Sequence, residues 1–226
     1  MPNFQPYLQS PLVNFDLPAE VVPADNSQLA RANELALLGY IVIRGELNDA
    51  AIAAAIKHAS GVAVPAAEQF TSGEGGVLIW QSPDEALLIT KRSTVPKLLK
   101  AFEEAFTGLF AQAVDNSGGI TCMYLSGIEH VTVLRHMGVY DFESIQSGQA
   151  ISTVLGKAGT IIARVDGEGV FLIWRRSFAD YLWLLLRKVS IPYRFAVAKL
   201  PESSSNPFLR LVDKTAQAQA KAKVAA

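Results

Sequence analysis

The sequence predicts an α+β fold built from two successive split βαβ units. Three observations carry this reading. Short β-branched runs of strand length alternate with stretches whose apolar positions recur at helical spacing. Turns rich in Gly, Asp and Asn punctuate them. The order strand, helix, hairpin, helix, strand then occurs twice.

Residues 1–30 hold Pro2, Pro6, Pro11, Pro18 and Pro23 without periodicity, and are expected to form an extended arm that lies on something else. The first half, 31–115, opens with the strand Leu37–Arg44. Asn48 is expected to cap an Ala-rich helix that runs to His58 and stops at Gly61. A Gly-rich loop at 72–76 leads into strands Val77–Trp80 and Ala86–Thr90, joined by the turn-forming Ser82-Pro83-Asp84-Glu85. Thr94 is expected to cap a helix through Phe106, with Leu98, Leu99, Phe102, Ala105 and Phe106 on one face, and Leu109–Val114 returns as a strand.

Asp115-Asn116-Ser117-Gly118-Gly119 turns the chain into the second half, 116–200. Ile120–Ser126 is a strand, and Ile128–Met137 a helix with Ile128, Val131, Leu134 and Met137 at helical spacing. Strands follow at Gly148–Leu155, Thr160–Val165 and Val170–Trp174, the last two joined by the hairpin turn at 166–169. Ser177, with Asp180 three residues on, approximates a capping box for the next helix, and Tyr193–Ala198 is the final strand. Residues 201–226 are polar and Ala-, Gln- and Lys-rich, and are expected to form a solvated tail.

Composition narrows the function. Half the residues are hydrophobic, only 18% are charged and the formal net charge is -1, which provides a core and a charge-poor surface. No run of Lys or Arg, Lys91-Arg92 and Arg175-Arg176 among them, exceeds two residues, too few for a nucleic-acid partner. No run approaches the roughly twenty apolar residues that span a bilayer, and the lone Cys122 forms no internal disulfide, so a cytoplasmic protein is expected.

The search for chemistry returns little. His130 and His136 are six apart and point to different helix faces, so no shared metal is expected. His58 at a helix end favours the dipole. Cys122 lies within a strand as core packing, and no nucleophile elbow is present. The glycines of 72–76 and 166–169 match neither a dinucleotide fingerprint nor a phosphate loop. Asp84-Glu85 and Glu103-Glu104 read as solvated carboxylates. No catalytic, cofactor-binding or metal residue is therefore expected in this chain.

The segment 171–191 is the most informative. Its helix carries Phe178, Tyr181, Leu182, Trp183, Leu184, Leu185 and Leu186, apolar around almost its whole circumference. One face is expected to meet a sheet, leaving the other to be covered by the N-terminal arm or by another chain. Clustered Trp, Tyr and Arg favour the other chain.

RRSFADYLW at 175–183, preceded by a strand ending in Ile-Trp, resembles the signature of the gamma subunit of heterotetrameric sarcosine oxidase. LIWQSPDEALLI at 78–89 is similar to that family's Leu-Gly-Pro-Asp-Glu-Trp strand pair, and Ser10-Pro11-Leu12, the strand ending near Arg44 and the VDNSGG turn also fit. Ala86 stands where the family usually has tryptophan, and residues 139–143 depart from its Asp-Leu-His-Pro segment. The small subunit of N-methylglutamate dehydrogenase is a close relative.

The resemblance implies two ferredoxin-like halves, similar to the folate-binding domain of glycine-cleavage T proteins. It implies a structural role beside alpha, beta and delta subunits, in a complex that demethylates sarcosine to glycine and passes the one-carbon unit to tetrahydrofolate. FAD, FMN, NAD and tetrahydrofolate are expected in the larger subunits, and zinc in delta. The expected interface comprises Arg175, Arg176, Phe178, Tyr181 and Trp183, with Trp80 and Asp84 from the hairpin. A stand-alone folate-binding aminomethyltransferase is the alternative, with Asp84 and Asp141 as its candidate carboxylates.

Overall fold

In the computed structural model, which describes residues 8–202 and 205–212, side-chain alternation along the strands fixes a four-layer arrangement. On β2 (Gly39–Arg44), Tyr40 faces a central layer while Ile41 and Ile43 face helices. On β10 (Gly169–Arg175), Phe171 and Ile173 face the central layer while Leu172 and Trp174 face the opposite helices. Two sheets thus pack face to face, each with a helical pair on its outer side. β2 and β10 are near-continuous apolar runs because both of their faces are buried.

The first sheet has the order β3-β4-β5-β2-β6, with β3 at Phe70–Gly73, β4 at Gly76–Ser82, β5 at Glu85–Thr90 and β6 at Gln112–Asp115. Its outer face carries α2 (Ala50–Ser60) and α3 (Val95–Ala105), which bury Ile52, Ile56, Leu98 and Phe102. The second sheet has the order β11-β1-β7-β10-β9-β8. Its other strands are β1 (Arg31–Glu34), β7 (Ile120–Ser126), β8 (Ala150–Leu155), β9 (Ala158–Ala163) and β11 (Ala196–Val197). It carries α4 (His130–Met137) and α5 (Ala179–Ser190). With β1, which sits between β7 and β11, set aside, the orders β4-β5-β2-β6 and β9-β10-β7-β11 correspond, as two ferredoxin-like halves require. Each half gains one extra edge strand, β3 or β8. These two meet through the isolated bridge Gln69 to Gln149.

Several local expectations change. Arg31–Glu34 carries no apolar strand signal, yet it forms β1 and inserts between β7 and β11 in the second sheet, although 31–115 was read as the first half. Pairing on both sides outweighs its polar composition. Asp49, not Asn48, caps α2, its carboxylate accepting from the Ala51 and Ile52 N–H groups, and Gly61 ends the helix in the left-handed conformation. Thr94 takes the N-cap position of α3, as expected, though without a side-chain capping bond, whereas Ser177 lies in a 3₁₀ turn and Phe178 takes the N-cap position of α5. On α4, the buried face is His130, Val133, Leu134 and Met137, while Ile128 precedes the helix and is exposed. Regular pairing in the last strand is limited to Ala196–Val197, after a 3₁₀ turn at Ile191–Tyr193.

The N-terminal arm does lie on another part of the chain but is not extended throughout, and the described part of the C-terminal segment is not a solvated tail. A short helix α1 (Leu17–Glu20) follows a 3₁₀ turn, and Leu12 and Leu17 are buried in the α4–α5 layer. Residues 1–7 lie outside the described residues. At the other terminus Phe208, Leu209 and Leu211 are buried in the central layer, where the Asn206 side-chain oxygen accepts from the Phe208 and Leu209 N–H groups. The remainder of the expected tail, 203–204 and 213–226, lies outside the described residues. Among the described residues no helix is long and apolar enough to cross a membrane.

Candidate functional interface

The strand–turn–helix unit at 169–190 positions most of the expected interface, and it divides into a buried and an exposed part. Trp183 is fully buried within the chain. Phe15 meets its ring edge-on at 6.4 Å, Phe195 packs at 5.9 Å, and the Arg187 guanidinium sits 5.7 Å from its centroid. The helix is not enclosed by its own chain alone. Ala179, Leu182, Trp183 and Leu186 form its inner face, while Phe178, Tyr181 and Leu184 are exposed, Leu184 at 54%. The arm covers the flank bearing Trp183, and among the described residues nothing covers the outer stripe.

Arg175 is exposed and makes no hydrogen bond or ion pair through its side chain among the described residues. Arg176 is half-buried beneath the arm, donating from Nη1 to the Gln9 carbonyl at 2.8 Å. Trp80 and Asp84 lie on the other sheet. Trp80 is half-buried at the edge of the α2–α3 layer, directly across the strand pair from Ala86. Asp84 is exposed in the β4–β5 turn. The Ser82 hydroxyl donates to it at 2.6 Å and holds its carboxyl below the usual range, with Arg44 adding attraction. The seven residues therefore do not form one continuous patch.

The arm is latched by a group the sequence did not single out. Glu34, at the end of β1, is buried; its carboxylate accepts from Ser10 Oγ at 2.5 Å and Thr121 Oγ1 at 2.8 Å. Burial pushes its pKa up, against the hydroxyl donors and the nearby Arg176, which lower it. Ser10 Oγ also accepts from the Leu12 N–H, so one hydroxyl joins the arm to the sheet. From sequence, Ser10 entered only through the Ser10-Pro11-Leu12 resemblance.

His130 is buried, its Nδ1 2.7 Å from the Gly127 carbonyl, and burial lowers its pKa. His136 is exposed and bonds the Tyr193 hydroxyl at 2.8 Å, so the two rings are apart, as their spacing requires. Cys122 is buried in β7, where desolvation pushes its thiol pKa well up. Asp141 is exposed, and with Asp84 also exposed neither offers an enclosed carboxylate for a folate. Among the described residues no cluster of His, Cys, Asp or Glu could hold a metal ion.

Between the sheets, a cleft of about 410 Å³ opens at one end of the central layer. Val42, Leu87, Ile120, Ile161 and Ile173 form its apolar walls, and Arg175 and Glu85 stand at its rim. Arg44 pairs with Glu85, leaving the arginine of the rim unmatched. Beside it, β6 is an edge strand with Val114 half-exposed, and Phe110 just ahead of it is 99% exposed.

Comparison with known proteins places this geometry. No curated protein matches the sequence. Among solved structures the chain is similar to one from the heterotetrameric sarcosine oxidase of Corynebacterium sp. U-96 in complex with pyrrole 2-carboxylate. That match has a TM-score of 0.73 at 22% identity and covers 85% of this chain and 98% of that one. The glycine cleavage system aminomethyltransferase T of Bartonella henselae matches with a TM-score of 0.61 at 12% identity. It covers 84% of this chain, which spans 59% of that longer protein. Both likenesses establish a shared fold. The sequence itself matches one family over residues 44–192, more than half its length, and the chain belongs to the sarcosine oxidase gamma subunit family.

Proposed function

We propose that this chain is a non-catalytic structural subunit of a heterotetrameric, flavin-dependent sarcosine oxidase, assembled in the cytoplasm with alpha, beta and delta subunits. The complex would oxidatively demethylate sarcosine to glycine and transfer the one-carbon unit to tetrahydrofolate, with FAD, FMN, NAD and folate held by the partners. The observation that carries this reading is family membership over 44–192, supported by near full-length correspondence with a chain of a heterotetrameric enzyme. The exposed stripe of α5 and the exposed Phe110 and Val114 agree with a chain that buries more surface on assembly. The stand-alone aminomethyltransferase reading loses support from the exposure of Asp84 and Asp141.

Co-expression with the alpha, beta and delta subunits tests the proposal. The expected result is a single complex containing all the chains, with sarcosine-dependent turnover that requires this chain for assembly. A monomer that runs apart from the flavoprotein subunits, or that binds tetrahydrofolate on its own at micromolar concentration, overturns it.

A further inference from the structure

Strand register defines an internal equivalence between the halves. Leu87 lies opposite Val42 and Ile89 opposite Tyr40; Phe171 lies opposite Tyr124 and Ile173 opposite Cys122. Leu87 and Val42 of the first sheet thus correspond to Phe171 and Tyr124 of the second, and the Lys91-Arg92 step to the Arg175-Arg176 step. Phe208 occupies the end of the central layer that lies over Phe171. Its buried ring stacks on Phe171 at 4.3 Å and 12°, and Phe70 meets it at 5.4 Å. The corresponding position over Leu87 and Val42 is the 410 Å³ cleft, which no described residue fills.

We propose that this open end is a docking slot for an extended segment of a partner subunit. The segment places a large apolar side chain between the sheets, as Phe208 does at the other end, runs along the free edge of β6, and sets a carboxylate against Arg175. The proposal rests on the subunit reading and assigns it a surface. Val114 lies directly across from Val42, so the apolar wall of the cleft continues to the strand edge. An unpaired edge beside an apolar slot suits strand addition, in which main-chain bonds hold the segment and the slot selects its side chain. Charge selects the occupant further. Residues 1–7 contain no Asp or Glu. Val212, the last described residue, lies at the opposite end, where Arg210 bonds the Gly73 carbonyl. A partner carboxylate is the complement Arg175 lacks.

The test uses the full chain, alone and assembled with the alpha, beta and delta subunits. Hydrogen exchange across 112–115 is expected to slow on assembly, and Val114→Lys and Arg175→Glu are each expected to cut recovery with tagged alpha by about tenfold or more. Lys57→Glu, exposed on α2 and away from both the cleft and α5, is expected to assemble like the parent. Unchanged exchange at 112–115, or cleft variants that assemble like the parent, overturns the slot while leaving the subunit reading standing. Failure of the parent chain to assemble overturns both. Faster exchange at 112–115 in the isolated chain after deletion of residues 1–7 assigns the slot to the chain's own N-terminus. A dimer of this chain abolished by Val114→Lys assigns it to a second copy. Either result overturns the proposal.

Discussion

Glu34 shows how one side chain can couple a terminal segment to a sheet and make that coupling depend on pH. Its pKa is raised from 4.5 by burial, so the folded chain holds the proton more tightly than the unfolded chain does. The stability this contributes is complete below the unfolded value and is lost as pH rises through the raised folded value. Thermal melts of the parent should therefore lose midpoint as pH climbs above 4.5. In Glu34→Gln, which keeps the hydrogen-bonding reach and removes the titration, that decline should flatten; an identical slope in both proteins would assign the pH response elsewhere. Helix capping gives a second prediction. Asp49 receives two backbone N–H groups of α2, so Asp49→Ala should cost about 1 kcal/mol in chemical denaturation while Asn48→Ala stays near zero. Sequence suggested the adjacent Asn48 because both residue types cap well and stand side by side; only the backbone angles choose between them.

Elements were legible where composition and burial agree. Ile120–Ser126 forms the strand its β-branched run predicts, and the Ser82–Glu85 turn joins the strands it was expected to join. The helix α5 shows the opposite case. Apolar residues on every side do not establish enclosure on every side: Trp183 is core and Leu184, its neighbour, is 54% exposed. Trp183→Ala should cost about 3–5 kcal/mol and lower solubility of the isolated chain. Leu184→Gln should leave unfolding of the isolated chain within about 0.5 kcal/mol, because its contacts are absent until a partner arrives. A large loss for Leu184→Gln in the monomer would show that this stripe is already supported by the chain.

For the molecule as a whole, the duplicated order was legible and the crossings between halves were not. Periodicity reports which side of an element is apolar, and it is silent on which sheet receives it. Thus β1 carries too few apolar residues to announce a strand, and Phe208–Leu211 lies in a segment whose average composition is that of a tail. The local run of Pro207, Phe208, Leu209, Leu211 and Val212 was the available signal. Phe208→Ala should lower stability by about 3–5 kcal/mol, a value typical of a core aromatic and far above that of a solvated tail residue. Equilibrium denaturation decides between them.

The interleaving of β1 also orders events during synthesis. Its residues emerge from the ribosome before nearly everything they bond: Asn33 donates to the Ala198 carbonyl, 165 residues further along. The first sheet draws all its strands from 70–115 and β2, so it can close while translation continues. The second stays incomplete until its last strand is made, and through that interval β1 offers an unoccupied edge to any other nascent chain.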